Sequence, residues 1–131
     1  MSANAASLSR IKQIAVPVHD LEEAKRFYRD VLGLQHLFDA PPALSFFNCG
    51  GIQLMLTGPA AQGKDGDTQH PVLFYDVSDI KSAYAKIIAA GAASLNEPHI
   101  IARMNGREIW IAELDDGQGN VVGLMGEAAA G

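Results

Sequence analysis

The stretch "AVPVHDLEEAKRFYRDVLGL" at 15–34 returns in weaker form as "LFYDVSDIKSAYAKIIAAGA" at 73–92. In both, an apolar strand-like run leads to an aspartate, then to apolar residues at helical spacing, then to a glycine. Val18, Asp20, Leu21 and Ala24 match Val77, Asp79, Ile80 and Ala83 at a constant offset of 59 residues, and Gly33 matches Gly91 at 58. Two capped helices can look alike by chance, but here each is followed by three strand-like runs. That shared order points to a duplicated unit.

In the first copy, Ile14, Val16 and Val18 alternate with Gln13, Ala15 and Pro17 within 11–18, the period of a half-buried strand. Asp20 stops the strand and suits an N-cap, with Glu23 three residues on as in a capping box. Leu21, Ala24, Phe27, Tyr28, Val31 and Leu32 then predict one helix, closed by Gly33. Strands are expected over 34–38, 43–49 and 52–57, separated by Pro41-Pro42 and Gly50-Gly51. The Gly-, Pro- and polar-rich run 58–71 has no period and reads as a linker. Beyond it come a strand at 72–77, a helix from the cap Asp79 to Ala90, and strands at 97–104, 107–114 and 120–125. Asn105-Gly106 between the first two of these strands is a hairpin signal. The ends, 1–10 and 126–131, are small or polar and expected to be flexible.

The resulting order predicts an α+β fold of two tandem βαβββ modules, 11–57 and 72–125, within one compact domain. Each helix covers one face of its sheet, and the two modules side by side make an incomplete barrel with a central cup. Such clefts between packed units favour small-molecule sites.

Composition limits what the cup can serve. The net charge of −5, with Lys and Arg scattered, leaves no basic stripe for nucleic acid. No apolar run approaches the ~20 residues of a membrane span, and no basic-then-apolar leader opens the sequence, so a cytoplasmic protein is expected. The single cysteine, Cys49, excludes an internal disulfide and reads as a small strand-end residue without a basic neighbour to activate it.

The pattern of strand, "V-x-D-L", helix with "FY", "x-x-L-G-L", repeated after a linker and ending in a "G-N-x-x-x-L" strand, resembles the vicinal oxygen chelate superfamily. That group includes glyoxalase I, bleomycin resistance proteins, extradiol dioxygenases and methylmalonyl-CoA epimerases. The resemblance runs from about Ile11 to Met125. It implies a divalent metal inside the cup, held by side chains from the first and last strand of each module. Those positions fall here on Gln13, Met55, Val72 and Gly123. An amide oxygen could ligate; a thioether is a poor donor for such ions, and the other two offer none. No metal or other cofactor is therefore expected unless the site is displaced. A displaced set could combine Gln13 and His99 with Glu113 or Glu108. His70 is two residues from Val72, but Pro71 assigns it to the loop, and His19 and His36 flank the first helix outside the cup.

The expected cup lining is Gln13, Met55, Val72, Phe74, His99 and Trp110. This mostly apolar set suits an aromatic or acyl-bearing organic ligand, with Gln13 and His99 orienting it. Met55 and Val72 would equally serve as core if the cup were packed shut. Three functions remain open: metal-free binding of a small organic molecule by a homodimer, as the resemblance implies; a lyase, isomerase or dioxygenase using a displaced metal or an acid/base pair such as His99 with Glu113; and an interaction protein with a filled cup. The turn "DDGQGN" (115–120) stands where relatives carry a proline turn, and only its flexibility is expected to change.

Overall fold

A computed structural model describes residues 11–61 and 71–129 together with Ala6 and Ser9, but not the Met104 side chain. His70 lies outside the described residues. The first module runs β1 (Gln13–Pro17), α1 (Leu21–Arg26), β2 (Gln35–Ala40), β3 (Leu44–Cys49) and β4 (Ile52–Thr57). The second runs β5 (Leu73–Asp76), α2 (Ile80–Ala89), β6 (Ala93–Met104), β7 (Arg107–Asp115) and β8 (Val121–Ala129). Both sheets have the same topology, β1-β4-β3-β2 and β5-β8-β7-β6, with the first strand parallel to its neighbour. The two sheets are not hydrogen-bonded into a closed barrel.

The expected helix over the first copy is interrupted. After six residues α1 widens into a π-helical segment, Phe27–Val31, in which the Leu32 N–H donates to the Phe27 carbonyl at 3.0 Å. An inserted residue of this kind turns a side chain that regular spacing would aim elsewhere. Tyr28, in that segment, is buried in the first core with Val16, Val18, Phe47, Leu54 and Leu56. Ile80, Ala112, Leu114, Val122 and Leu124 form the second core, and Phe27 and Leu32 pack against both.

The remaining boundaries move modestly. β6 starts four residues before the expected 97. β8 continues past the expected end at 125, because Gly126–Ala129 pair with Arg107–Trp110 of the long β7. The hairpin at Asn105-Gly106 forms as expected, with φ of 53° and 74°, the pair of left-handed conformations a type I′ turn requires.

Candidate functional site

Strand alternation gives each sheet a helix-covered face and an open face. On the first sheet Ile14, Val16, Leu54, Leu56 and Phe47 take the helix side, so the residues between them point away from it. Register then aligns two rows across the four strands of the open face. One is Gln13, Gln53, Asn48 and Gln35, four amides; the next is Ala15, Met55, Phe46 and Phe38. Phe38 joins that row because a register shift between His36 and Phe38 reverses the alternation of β2. Its ring stacks on Phe46 at 4.5 Å and is still 50% exposed. Neither row, nor the third of Pro17, Thr57, Leu44 and Ala40, contains a charged residue. The charges of this region lie on the other side, where Asp39 accepts from Lys25 (2.7 Å), meets His36 Nε2 (2.8 Å) and accepts from Ser45 (2.7 Å). These partners, Lys25 foremost, hold the Asp39 carboxyl well below the usual carboxylate range.

The second sheet's open face differs. Phe74, Gly123, Glu113 and Asn96 form one row; Asp76, Met125, Ile111 and His99 form the next. Glu113 accepts from the Asn96 amide at 2.6 Å, and His99 Nδ1 lies 2.7 Å from the Glu97 carbonyl oxygen. The proposed acid/base partners are thus each engaged elsewhere.

Gln13 and Met55 therefore share the open face of the first sheet, and Phe74 and His99 that of the second, with Val72 just ahead of β5. Trp110 is a correction to the expected lining. It faces α2, packed against the second core with the Lys81 ammonium 4.8 Å from its ring centroid, because its register partner Gly126 and neighbours Ala112 and Leu114 set that parity toward the helix.

The residues at the four family metal positions do not fit a divalent ion. Gln13 offers an amide oxygen, Met55 only a thioether, and Val72 and Gly123 no donor, and the Phe74 ring packs over Gly123. Of the displaced set, His99 and Glu113 lie on neighbouring strands of the second sheet, each bonded to another group, while Gln13 lies on β1 of the first. Among the described residues there is no cluster of three or more His, Cys, Asp or Glu side chains able to hold a metal.

The turn 115–120 carries more than its sequence suggested. Asp116, 2% exposed, accepts from the Tyr28 hydroxyl (2.9 Å), from the backbone of Gln118 and Asn120, and from the Asn120 amide. The Gln118 Oε1 accepts from the N–H groups of His19 and Asp20, while Asn120 Nδ2 donates to the Pro17 carbonyl. This polar knot of the second module fastens the strand–helix corner of the first. Burial and the adjacent Asp116 charge push the Tyr28 phenol far up. The available signal was the density of Asp, Gln and Asn in a turn following a predicted strand, which a search for metal ligands passes over.

The sequence profile of the Glyoxalase/Bleomycin resistance protein/Dioxygenase superfamily matches residues 10–124, and the chain belongs to that superfamily. Among solved structures it is similar to a lactoylglutathione lyase from Agrobacterium tumefaciens (24% identity, TM-score 0.70, covering 92% of this chain and 95% of that one). It is also similar to a superfamily member from Sphaerobacter thermophilus DSM 20745 (20%, TM-score 0.74, 91% and 98%). A third is TnmS3, an antibiotic binding protein from Streptomyces sp. CB03234 (23%, TM-score 0.69, 95% and 100%). At these identities the likeness establishes the fold. No curated protein matches the chain.

Proposed function

We propose that the protein binds a flat, uncharged aromatic molecule on the open face of its first sheet, without a metal ion. The observation that carries this is the pair of rows on that face. Phe38, half exposed and stacked on the buried Phe46, offers a platform for a ring. The amide row beside it, including Gln13, supplies donors and acceptors for carbonyl and hydroxyl groups without favouring either charge.

The protein acts here as a cytoplasmic homodimer in which the open faces of two copies approach each other. Exposed Phe38 and Phe74 on those faces support this, since apolar side chains left in water favour cover. The enzyme reading draws less support, because His99 and Glu113 are bonded to Glu97 and Asn96 rather than to each other. The net charge of −5 likewise speaks against a nucleic-acid partner.

The test is a thermal-shift panel of naphthoquinones and flavones in the presence of EDTA. At least one compound is expected to raise the melting temperature, with affinity falling about tenfold in Phe38→Ala, the scale of one lost aromatic stack. Stabilisation that appears only after a divalent ion is added would contradict the proposal.

A further inference from the structure

A second concavity lies mostly on the helix side, away from the phenylalanine row and meeting the amide row only at its outer end, Asn48 and Gln35. The free edge of β5, the end of the π-helical segment and α2 enclose a cleft of about 910 Å³ between the modules. Leu32, Leu54, Leu73, Phe74, Ile87 and Val122 give it an apolar body of the size that small-molecule sites occupy. Among the described residues β5 pairs with β8 alone; residues of both its faces line the cleft, and alternate backbone groups on its other edge are directed there.

The polar groups in this lining are mostly donors. The Lys86 ammonium has no ion-pair partner among the described residues, and the Tyr75 hydroxyl has no hydrogen-bond partner among them. The Gln35 amide uses its oxygen to accept from Asn48, which leaves its N–H groups available. Asp76, exposed at the rim, is the one carboxylate of the lining and disfavours a ligand with more than one negative charge.

We propose that this cleft binds a monocarboxylic acid with an extended apolar body, its carboxylate held by Lys86 and its chain laid along β5. The site is separate from the phenylalanine row, so Phe38→Ala leaves it intact. Burial in an apolar setting keeps the Cys49 thiol above its ordinary range and hence slow to react, yet it lines the cleft and is the only cysteine in the chain. It therefore reports occupancy at a known place.

The experiment follows N-ethylmaleimide modification of Cys49 by mass spectrometry, in the presence of decanoate, decanol or decylamine. Decanoate is expected to slow the reaction severalfold and decylamine to have little effect. Lys86→Gln, a change at an exposed position that the fold tolerates, is expected to cut the decanoate affinity severalfold while sparing decanol. Equal protection by all three compounds, or unchanged decanoate affinity in Lys86→Gln, would overturn the carboxylate assignment. Absence of protection by decanoate would overturn the site. Protection that needs no additive and grows with protein concentration would show a second copy covering the cleft, and would also overturn it.

Discussion

Asp20 and Asp79 cap their helices with nearly the same backbone angles, φ/ψ of −131°/98° and −135°/98°, and each accepts the N–H three residues on at 3.1 Å. Past the caps the two copies part. α2 continues regularly for ten residues, whereas α1 gives way after six to a π-helical segment that carries Tyr28 to Asp116 of the other module. The open faces diverge as well: the first sheet presents amides and phenylalanines, and the second presents Asp76 and Glu113 beside Phe74 and Met125. A duplicated unit keeps the residues that form its strand and helix, while the residues that meet the other copy or a ligand are free to differ.

The sharpest way to break the comparison is at the contact only one copy makes. Asp116→Ala leaves the Tyr28 hydroxyl and the Gln118 and Asn120 backbone N–H groups without their acceptor, and the Asn120 amide with the Pro17 carbonyl alone, and is expected to cost about 3 kcal/mol. Denaturant unfolding would measure it. Tyr28→Phe should lose less, about 1 kcal/mol, because a single hydrogen bond goes while Asp116 keeps three other donors. A Tyr28→Phe variant as damaged as Asp116→Ala would mean that the Tyr28–Asp116 hydrogen bond alone carries what the knot contributes.

Two glycines of β8, one toward each face, test how much room the second sheet leaves. A Cβ at Gly126 would meet the Val77 carbonyl oxygen at 2.9 Å, and backbone cannot swing away; Gly126→Ala is expected to cost about 2 kcal/mol. At Gly123 the obstacle is the exposed Phe74 ring, which can rotate outward, so Gly123→Ala should cost about 1 kcal/mol and recover in a Phe74→Ala background. Calorimetric melting of the four variants distinguishes these outcomes.

The smallest effect belongs to the charge cluster behind the uncharged face. The Asp39 carboxyl is depressed in the folded state, so its contribution is present above the ordinary carboxylate range and is lost as pH falls through that range and below. With the Asp39 side chain 45% exposed, the gain is expected to stay under about 1 kcal/mol. Asp39→Asn should therefore lower stability slightly at pH 7 and converge with the parent protein in acid.

Much of the architecture was legible because strand alternation and capping are local. Asp20, Asp79, Gly33, Gly91 and Asn105-Gly106 each mark a boundary that the fold keeps. The π-helical insertion was not legible, since Phe27 and Tyr28 satisfy a regular helical period equally well, and only the distant Asp116 decides between them. Trp110 was misplaced for a related reason: in a strand apolar on both faces, the helix side is set by register partners such as Gly126, which are invisible along the chain. For the open face, Gln13, Met55 and Phe74 could be read by their position in the repeat. Phe38 could not, because its outward turn depends on a bulge in β2.

The proposed function has this module fold bind its ligand without a divalent metal. Elemental analysis of protein purified without added metal, paired with melting curves in Mn²⁺, Zn²⁺ and EDTA, tests it directly. The account predicts substoichiometric divalent metal and a melting temperature that neither ion nor chelator moves. One tightly held ion per chain, with a melting temperature that falls when EDTA removes it, would contradict it.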